Sequence, residues 1–344
     1  MSEISRLPLL QALSNMLGVQ VSDVAYESEL LQGGDVGEVS KISGQAFSNE
    51  GSYPFSLVLK KQQKWDRHGD PECWRREYEI YRHGLDQKLL QTIKLPRCYL
   101  LQESGDLTQI WMEYIEGKTG DDLIHAPELA LAAERLGKLQ ADFHKNGKHD
   151  LPFLRSYPAV RSSFDLWWGD IKKELGTEIE DFPEELRHTL NDFAARAESL
   201  LDAMDKLPLT ICQGDFYHDN IIFKPGLDGT DIYVIDWDCA GYGRMGEDAV
   251  DILMEAFVYS DRDVSLMPDF KKCIIDGYLR GVQSGGMDFT MNEALVRDIF
   301  ALAWGFRITD QYLYHLHYKD EQAKERCIAI LRTMFMGSEC EPRV

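Results

Sequence analysis

Long apolar runs are missing from this sequence of 344 residues. No stretch approaches the run of about 20 apolar residues that a membrane-spanning helix needs, which excludes a membrane-crossing helical protein. Paired cysteines are missing too. The seven (Cys73, Cys98, Cys212, Cys239, Cys273, Cys327, Cys340) are scattered, odd in number and never at CxxC spacing, which argues against a disulfide framework and against a zinc site. They read as small buried apolar residues in a reducing, cytoplasmic setting. Basic residues are scarce, 37 Lys and Arg against 58 Asp and Glu. The formal net charge of −21 repels phosphate backbones and excludes nucleic acid as a partner. There is no internal repeat and no low-complexity linker. Met1 to Gly18 lacks both a basic start and a continuous apolar block, so it reads as an amphipathic helix and not as a signal peptide.

What is present is an ordinary apolar share, 44%, in a chain with room for about two domains. The first third carries strand signals at Leu30-Leu31, Val39 to Ile42 and Phe55 to Lys60, with a turn at Asn49-Glu50-Gly51. Pro71 to Leu85 reads as a helix, and Ile110 to Ile115 as another short apolar run. Beyond Asp121 helical spacing dominates: Leu129 to His144, Glu184 to Met204, Asp248 to Tyr259 and much of Phe270 to Phe335. Two strand-like runs interrupt it, Ile221 to Phe223 and Ile232 to Ile235, around a turn from Pro225 to Gly229. The pattern predicts a small sheet lobe over residues 1–116, ending in a hinge near Glu113 to Gly117, and a mostly helical lobe over 117–344.

The chemistry is concentrated in Gln213-Gly214-Asp215-Phe216-Tyr217-His218-Asp219-Asn220, followed by Ile235-Asp236-Trp237 sixteen residues after Asn220. An Asp, an Asn five positions on, and an Asp at a strand end suit phosphoryl transfer. That reaction needs a carboxylate to orient the attacking hydroxyl and accept its proton, and oxygen ligands for Mg²⁺. Asp215 fits the first role, Asn220 and Asp236 the second. An isolated Asp–Asn pair is usually turn chemistry; two motifs, each beside a strand signal, are not so explained.

Matching parts stand upstream. Gly33-Gly34-Asp35-Val36-Gly37-Glu38-Val39 lies between strand signals, and glycines such as Gly34 and Gly37 let backbone amides approach phosphate oxygens. A hairpin turn would use the same residues. Lys60 ends Leu57-Val58-Leu59 and is placed to reach the α- and β-phosphates, with Glu77 on the next helix to brace it. Lys61, one residue on, faces the other way in a strand and is the rival.

With these motifs the sequence resembles the aminoglycoside phosphotransferase and choline kinase family of protein-kinase-like enzymes. The resemblance covers nearly the whole chain, on Gly34 to Val39, Leu57 to Lys60, Arg76-Glu77, Trp111 to Gly117, Gly214-Asp215 to Asn220, and Ile235-Asp236-Trp237. It implies an α+β, bilobal protein-kinase-like fold with an antiparallel-sheet N-lobe, a larger helical C-lobe, and ATP or GTP bound between the lobes. Backbone groups of Glu113 and Ile115 would then bond the purine, Met112 would line the back of its pocket, and Asp248 would brace the catalytic loop. Three positions depart from the family: Gln213 where it has His, Tyr217 where it has His, and Gln32 in place of the first loop glycine.

Only eleven residues, Trp237 to Glu247, separate Asp236 from Asp248, too few for a peptide platform, so a small-molecule hydroxyl substrate is expected and not a protein. Aromatic and acidic residues at Trp167-Trp168 and from Trp304 to Asp310 read either as core with solvated acids or as an acceptor pocket. In the second case Trp304 and Asp310 hold a cationic acceptor. Gly117-Lys118-Thr119 imitates the end of a P-loop, but position 112 is Met where that motif needs Gly. His315 and His317 are spaced wrongly for two ligands on one helix face, and His144 reads as a packed histidine. A nucleotide-binding, non-catalytic module acting through a protein partner is the competing reading, motivated by departures such as Gln213.

Overall fold

The computed structural model describes residues 4–31, 37–65, 67, 70–89, 92–147, 151–155, 168–169, 171, 182–226, 229–291 and 293–336. Contacts divide the chain into two units, Met1–Gly117 with Ile222–Cys239, and Lys118–Ile221 with Ala240–Val344. The segment Ile222–Cys239, which carries Asp236, therefore belongs with the first third of the chain. Among the described residues no helix is long and apolar enough to cross a membrane.

The first unit opens with helix α1 (Arg6–Leu17), stopped by Gly18 in the left-handed region (φ +71°). Five antiparallel strands follow: β1 (Val21–Leu30), β2 (Glu38–Ser48), β3 (Gly51–Gln63), β4 (Cys98–Ser104) and β5 (Leu107–Glu113), in the order β1-β2-β3-β5-β4. Leu9 and Leu13 of α1 pack with Ile42, Phe55, Leu57, Leu59 and Trp111 on one sheet face. Each such buried side chain contributes about 1.5–3 kcal/mol. Because strands alternate, Val58 and Lys60 point to the other face. There the register pairs them with Met112 and Ile110. Helix α2 (Cys73–Arg82) buries Arg76, Glu77 and Glu79; a short helical turn, α3 (Leu85–Leu89), follows. The hairpin Ile221–Gly226/Gly229–Val234 is stitched to this unit by Lys94, whose N–H donates to Ile232 O (2.8 Å) and whose carbonyl accepts from Val234 N (2.9 Å).

The second unit is built on α4 (Ala126–Asn146), α5 (Glu184–Met204), α6 (Glu247–Val258), α7 (Met267–Ser284), α8 (Glu293–Phe300), α9 (Phe306–Tyr318) and α10 (Glu321–Met336). Helices α4 and α7 touch backbone to backbone: a Cβ on Gly281 would lie 1.9 Å from Glu134 O, and one on Gly277 would lie 2.3 Å from Ala130 O. From this pair Gln140 donates to Ile211 O (3.2 Å) and accepts from the Tyr278 hydroxyl (2.5 Å), while Thr210 donates to Gln140 O (2.9 Å). His144 Nδ1 lies 2.8 Å from Leu209 O. The strand Leu209–Cys212, paired with Gly241–Arg244, is thus anchored before it delivers the Gly214–Asn220 loop. A π-helical turn, Ala301–Gly305, joins α8 to α9.

Candidate active site

Strand alternation decides between the two lysines. Lys60 Nζ donates to Glu77 Oε2 at 2.5 Å and to Asp236 Oδ1 at 2.7 Å, whereas Lys61 turns to Glu38 at 3.1 Å. Burial works against the Lys60 ammonium, but the Asp236 and Glu77 carboxylates outweigh it and hold its pKa above the usual lysine range. Asp236 shows the converse: burial favours its neutral form, and Lys60 overcomes this and lowers its pKa. For Glu77 burial is the larger effect and its pKa is raised despite Lys60. Asp236 has φ +57°, a left-handed backbone unusual for a residue with a Cβ and costing about 1–2 kcal/mol. Trp237 beside it is 1% exposed and donates from its indole to Val234 O (3.1 Å).

Arg76, adjacent to Glu77, makes a second tie to the same turn. Its guanidinium grips Asp70 with two bonds (2.8 Å from Nη1 to Oδ2, and Nη2 to Oδ1 at 2.5 Å) and donates to the Asp238 carbonyl. Arg67 adds a bond to Asp238 Oδ2 at 3.0 Å. In the sequence Arg76 stands out only as the neighbour of Glu77; its partner Asp238, 162 residues along the chain, leaves no local signal. Met112 is buried beside Val58, on the face that Lys60 uses. The Glu113 N–H is taken by Arg97 O (2.9 Å), and Ile115 is buried. Gly37 (φ +120°) abuts β3 so closely that a Cβ there would lie 2.8 Å from Lys61 O. Gly34 lies outside the described residues.

In the second unit the loop is built from its own backbone bonds. Asp248, at the start of α6, accepts from the N–H groups of Gln213 (2.8 Å, Oδ2) and Gly214 (3.1 Å, Oδ1). Gln213 in turn accepts the Asp215 N–H on its Oε1 at 2.8 Å. Asn220 Nδ2 donates to the Asp215 carbonyl (2.8 Å) and to its Oδ2 (3.2 Å). Asp215 and Asn220 are therefore held together, as their spacing predicts. Burial pushes the Asp248 carboxyl up to about 7, against the two N–H bonds that pull it down.

Each unit offers an oxygen donor of the kind that a hard divalent cation takes. Asn220 commits its amide nitrogen to Asp215 and retains its amide oxygen as an acceptor, and Asp236 is a carboxylate held ionised with a third of its side chain exposed.

Trp304 and Asp310 are placed differently from each other. Trp304 is 1% exposed, donates from its indole to Asp251 Oδ1 (2.9 Å), and has the Arg307 guanidinium 3.9 Å from its ring centroid. The cation over this ring is thus the chain's own. Asp310 is half-buried on α9. Trp168 packs on Phe306 with ring centroids 4.8 Å apart, and Trp167 lies outside the described residues.

The sequence pattern of the phosphotransferase enzyme family matches residues 56–279, well over half of the chain and every motif that carries the resemblance except the glycine loop. The chain belongs to this family. It is a phosphotransferase, as the resemblance implies. Solved structures show the same protein-kinase-like fold at low identity. An aminoglycoside phosphotransferase from Alicyclobacillus acidocaldarius is 15% identical, with 97% of this chain and 96% of that one covered at a TM-score of 0.55. A choline kinase from Cryptosporidium parvum is 14% identical, covering 91% and 88% at 0.55. A phosphotransferase in complex with GDP and kanamycin is 12% identical, covering 95% and 98% at 0.53. A comparison with curated protein sequences gives no match.

Proposed function

We propose that this enzyme transfers the terminal phosphate of ATP or GTP to a hydroxyl of a small molecule (aminoglycoside-like, choline-like or another metabolite) in the cytoplasm. The observation that carries this reading is Lys60 held at once by Glu77 and Asp236. An ammonium so fixed is a permanent charge for phosphate oxygens, and Asp236 stays ionised beside it. In the second unit Asp215 orients the acceptor hydroxyl and takes its proton as the oxygen–phosphorus bond forms and the nucleoside diphosphate leaves. Mg²⁺, for which Asn220 and Asp236 are the donors, would neutralise phosphate charge when bound. Glu113 and Ile115 offer backbone groups to the base, with Met112 behind it. The choline kinase and the GDP- and kanamycin-bound relative mark the range of acceptors and donors from which we choose. The six described cysteines are all free, which suits a reducing compartment.

The non-catalytic reading loses its motive, since Gln213 supports the Asp215 N–H through its own side chain. The test is a thermal shift of wild type and Asp236→Asn with MgATP and MgGTP. Nucleotide at 100 times Kd stabilises by about 2.7 kcal/mol. A wild-type shift that the variant lacks is expected; no shift with either nucleotide in the wild type overturns the reading.

A further inference from the structure

Helix α6 begins under the catalytic loop at Asp248, and the same helix face continues to Asp251 and Glu255, three and seven residues on. The negative charges of Asp215 and Asp219 reach Glu255. Opposite these acids stand the π-helical turn that carries Trp304 and the first turn of α9 with Arg307. Such π turns recur at functional sites. Asp251 takes the Trp304 indole N–H, the Trp304 ring underlies Arg307, and Arg307 Nη2 donates to the Tyr259 hydroxyl at 3.0 Å. Gln311 donates to the same hydroxyl at 2.9 Å.

Two groups in this assembly keep their strongest bonding capacity unused. Glu255 is 7% exposed, yet it accepts no hydrogen bond among the described residues; Arg307 Nη2, at 3.7 Å, is too far to donate one. A buried carboxylate left so is costly. Arg307 commits one nitrogen to Tyr259, and a third of its side chain is exposed. Guanidinium geometry suits a second, two-pronged bond to a carboxylate. A plain cation meets the repulsion of Arg307, which already covers the Trp304 ring. A plain anion meets the field of Asp215 and Asp219. A neutral sugar uses neither charge.

Resting on the phosphotransferase reading, we propose that the acceptor is a zwitterion, a hydroxyl compound with ammonium and carboxylate on one carbon, whose carboxylate binds Arg307 and whose ammonium binds Glu255. Burial, opposed by Arg307, pushes the Glu255 carboxyl up to about 8, and an arriving ammonium provides the counter-charge that lets it ionise.

The experiment measures phosphate transfer by the full chain from MgATP and MgGTP to L-serine and L-homoserine, with choline, ethanolamine, glycerate and glycerol as comparators. A zwitterion should exceed every comparator at least tenfold in kcat/KM. Arg307→Met should raise its KM more than tenfold with kcat within about threefold, and should leave the KM for homoserine amide, which has no carboxylate, unchanged. The nearly isosteric Glu255→Gln should raise KM for the free amine and not for N-acetylhomoserine. Retention of the nucleotide-dependent thermal shift certifies that each variant is folded. Preference for any comparator, absence of turnover with both zwitterions, or an unchanged KM in Arg307→Met overturns the inference while the nucleotide shift stands. Loss of that shift in the wild type brings down the phosphotransferase reading itself, and the inference with it.

Discussion

Both units bury carboxylates, and what faces them separates the two groups. In the first, Glu77 and Asp236 share the Lys60 ammonium at 2.5 and 2.7 Å, and Asp236 is held ionised. In the second, Asp248 and Asp251 face N–H groups and Glu255 faces an arginine 3.7 Å away; burial dominates, pushing Asp248 and Asp251 up to about 7 and Glu255 up to about 8. One residue type thus does two kinds of work. Fixed charge suits phosphate and metal. A carboxyl that is easily neutralised can serve as a brace, bonding backbone or indole N–H without a counter-ion.

The comparison breaks first at Asp215, which belongs to neither group because the task proposed for it is to take a proton. Asp215→Ala should lower turnover about 10²- to 10⁴-fold. Nucleotide-induced stabilisation should persist, since Lys60 and Asp236 remain. Steady-state rates beside a thermal shift separate the two effects, and unchanged turnover removes Asp215 from its role.

Removing Lys60 tests the first group directly. Lys60→Met leaves the buried Glu77 and the partly exposed Asp236 without their shared cation, and breaking a buried pair such as Lys60–Glu77 from one end costs about 3–5 kcal/mol. Chemical denaturation should show a loss of that order without nucleotide, and nucleotide should no longer restore stability. Replacing Glu77 as well, in Lys60→Met with Glu77→Gln, should recover part of the loss. A double variant no more stable than the single one would mean that the pairing contributes less than its geometry implies.

Much of this was legible in the sequence wherever the signal was local. Helix α5 occupies Glu184–Met204 as its periodicity predicts, and the Gly214–Asn220 loop brings Asp215 to Asn220 as their spacing requires. The strand expected at Leu30-Leu31 runs instead over Val21–Leu30; it is an edge strand with most side chains exposed, so it lacks the alternation that marks a half-buried strand. Strand β4 and the strands Leu209–Cys212 and Gly241–Arg244 gave no usable pattern because two are only four residues long and β4 is nowhere fully buried. Long-range partners were invisible. The tie from Arg76 to Asp238 and the opposition of Glu255 to Arg307 join residues that no periodicity connects.

The smallest expected effect is the change in a pH slope when one titration is removed, and it sharpens the contrast between the groups. Asp248, Asp251 and Glu255 have folded pKa values above their unfolded ones, so the folded state holds more protons than the unfolded state between about pH 4 and pH 8. Stability from these groups is fully present below pH 4 and is lost as pH rises through 7 to 8. Asp236, with its pKa lowered, acts oppositely: its contribution is present above the usual carboxylate range and is lost as pH falls through the lowered value. Between pH 5 and pH 8 Asp236 is ionised in both states and adds no slope. Glu77, raised by burial, acts in the same sense as the three acids of the second unit, so Tm should decline. Asp251→Asn keeps an acceptor for the Trp304 indole while removing one titration, and should flatten that decline. Parallel Tm curves for wild type and variant across this range would show that Asp251 is charged in the folded protein, and the distinction between the two groups of carboxylates would then rest on Asp248 and Glu255 alone.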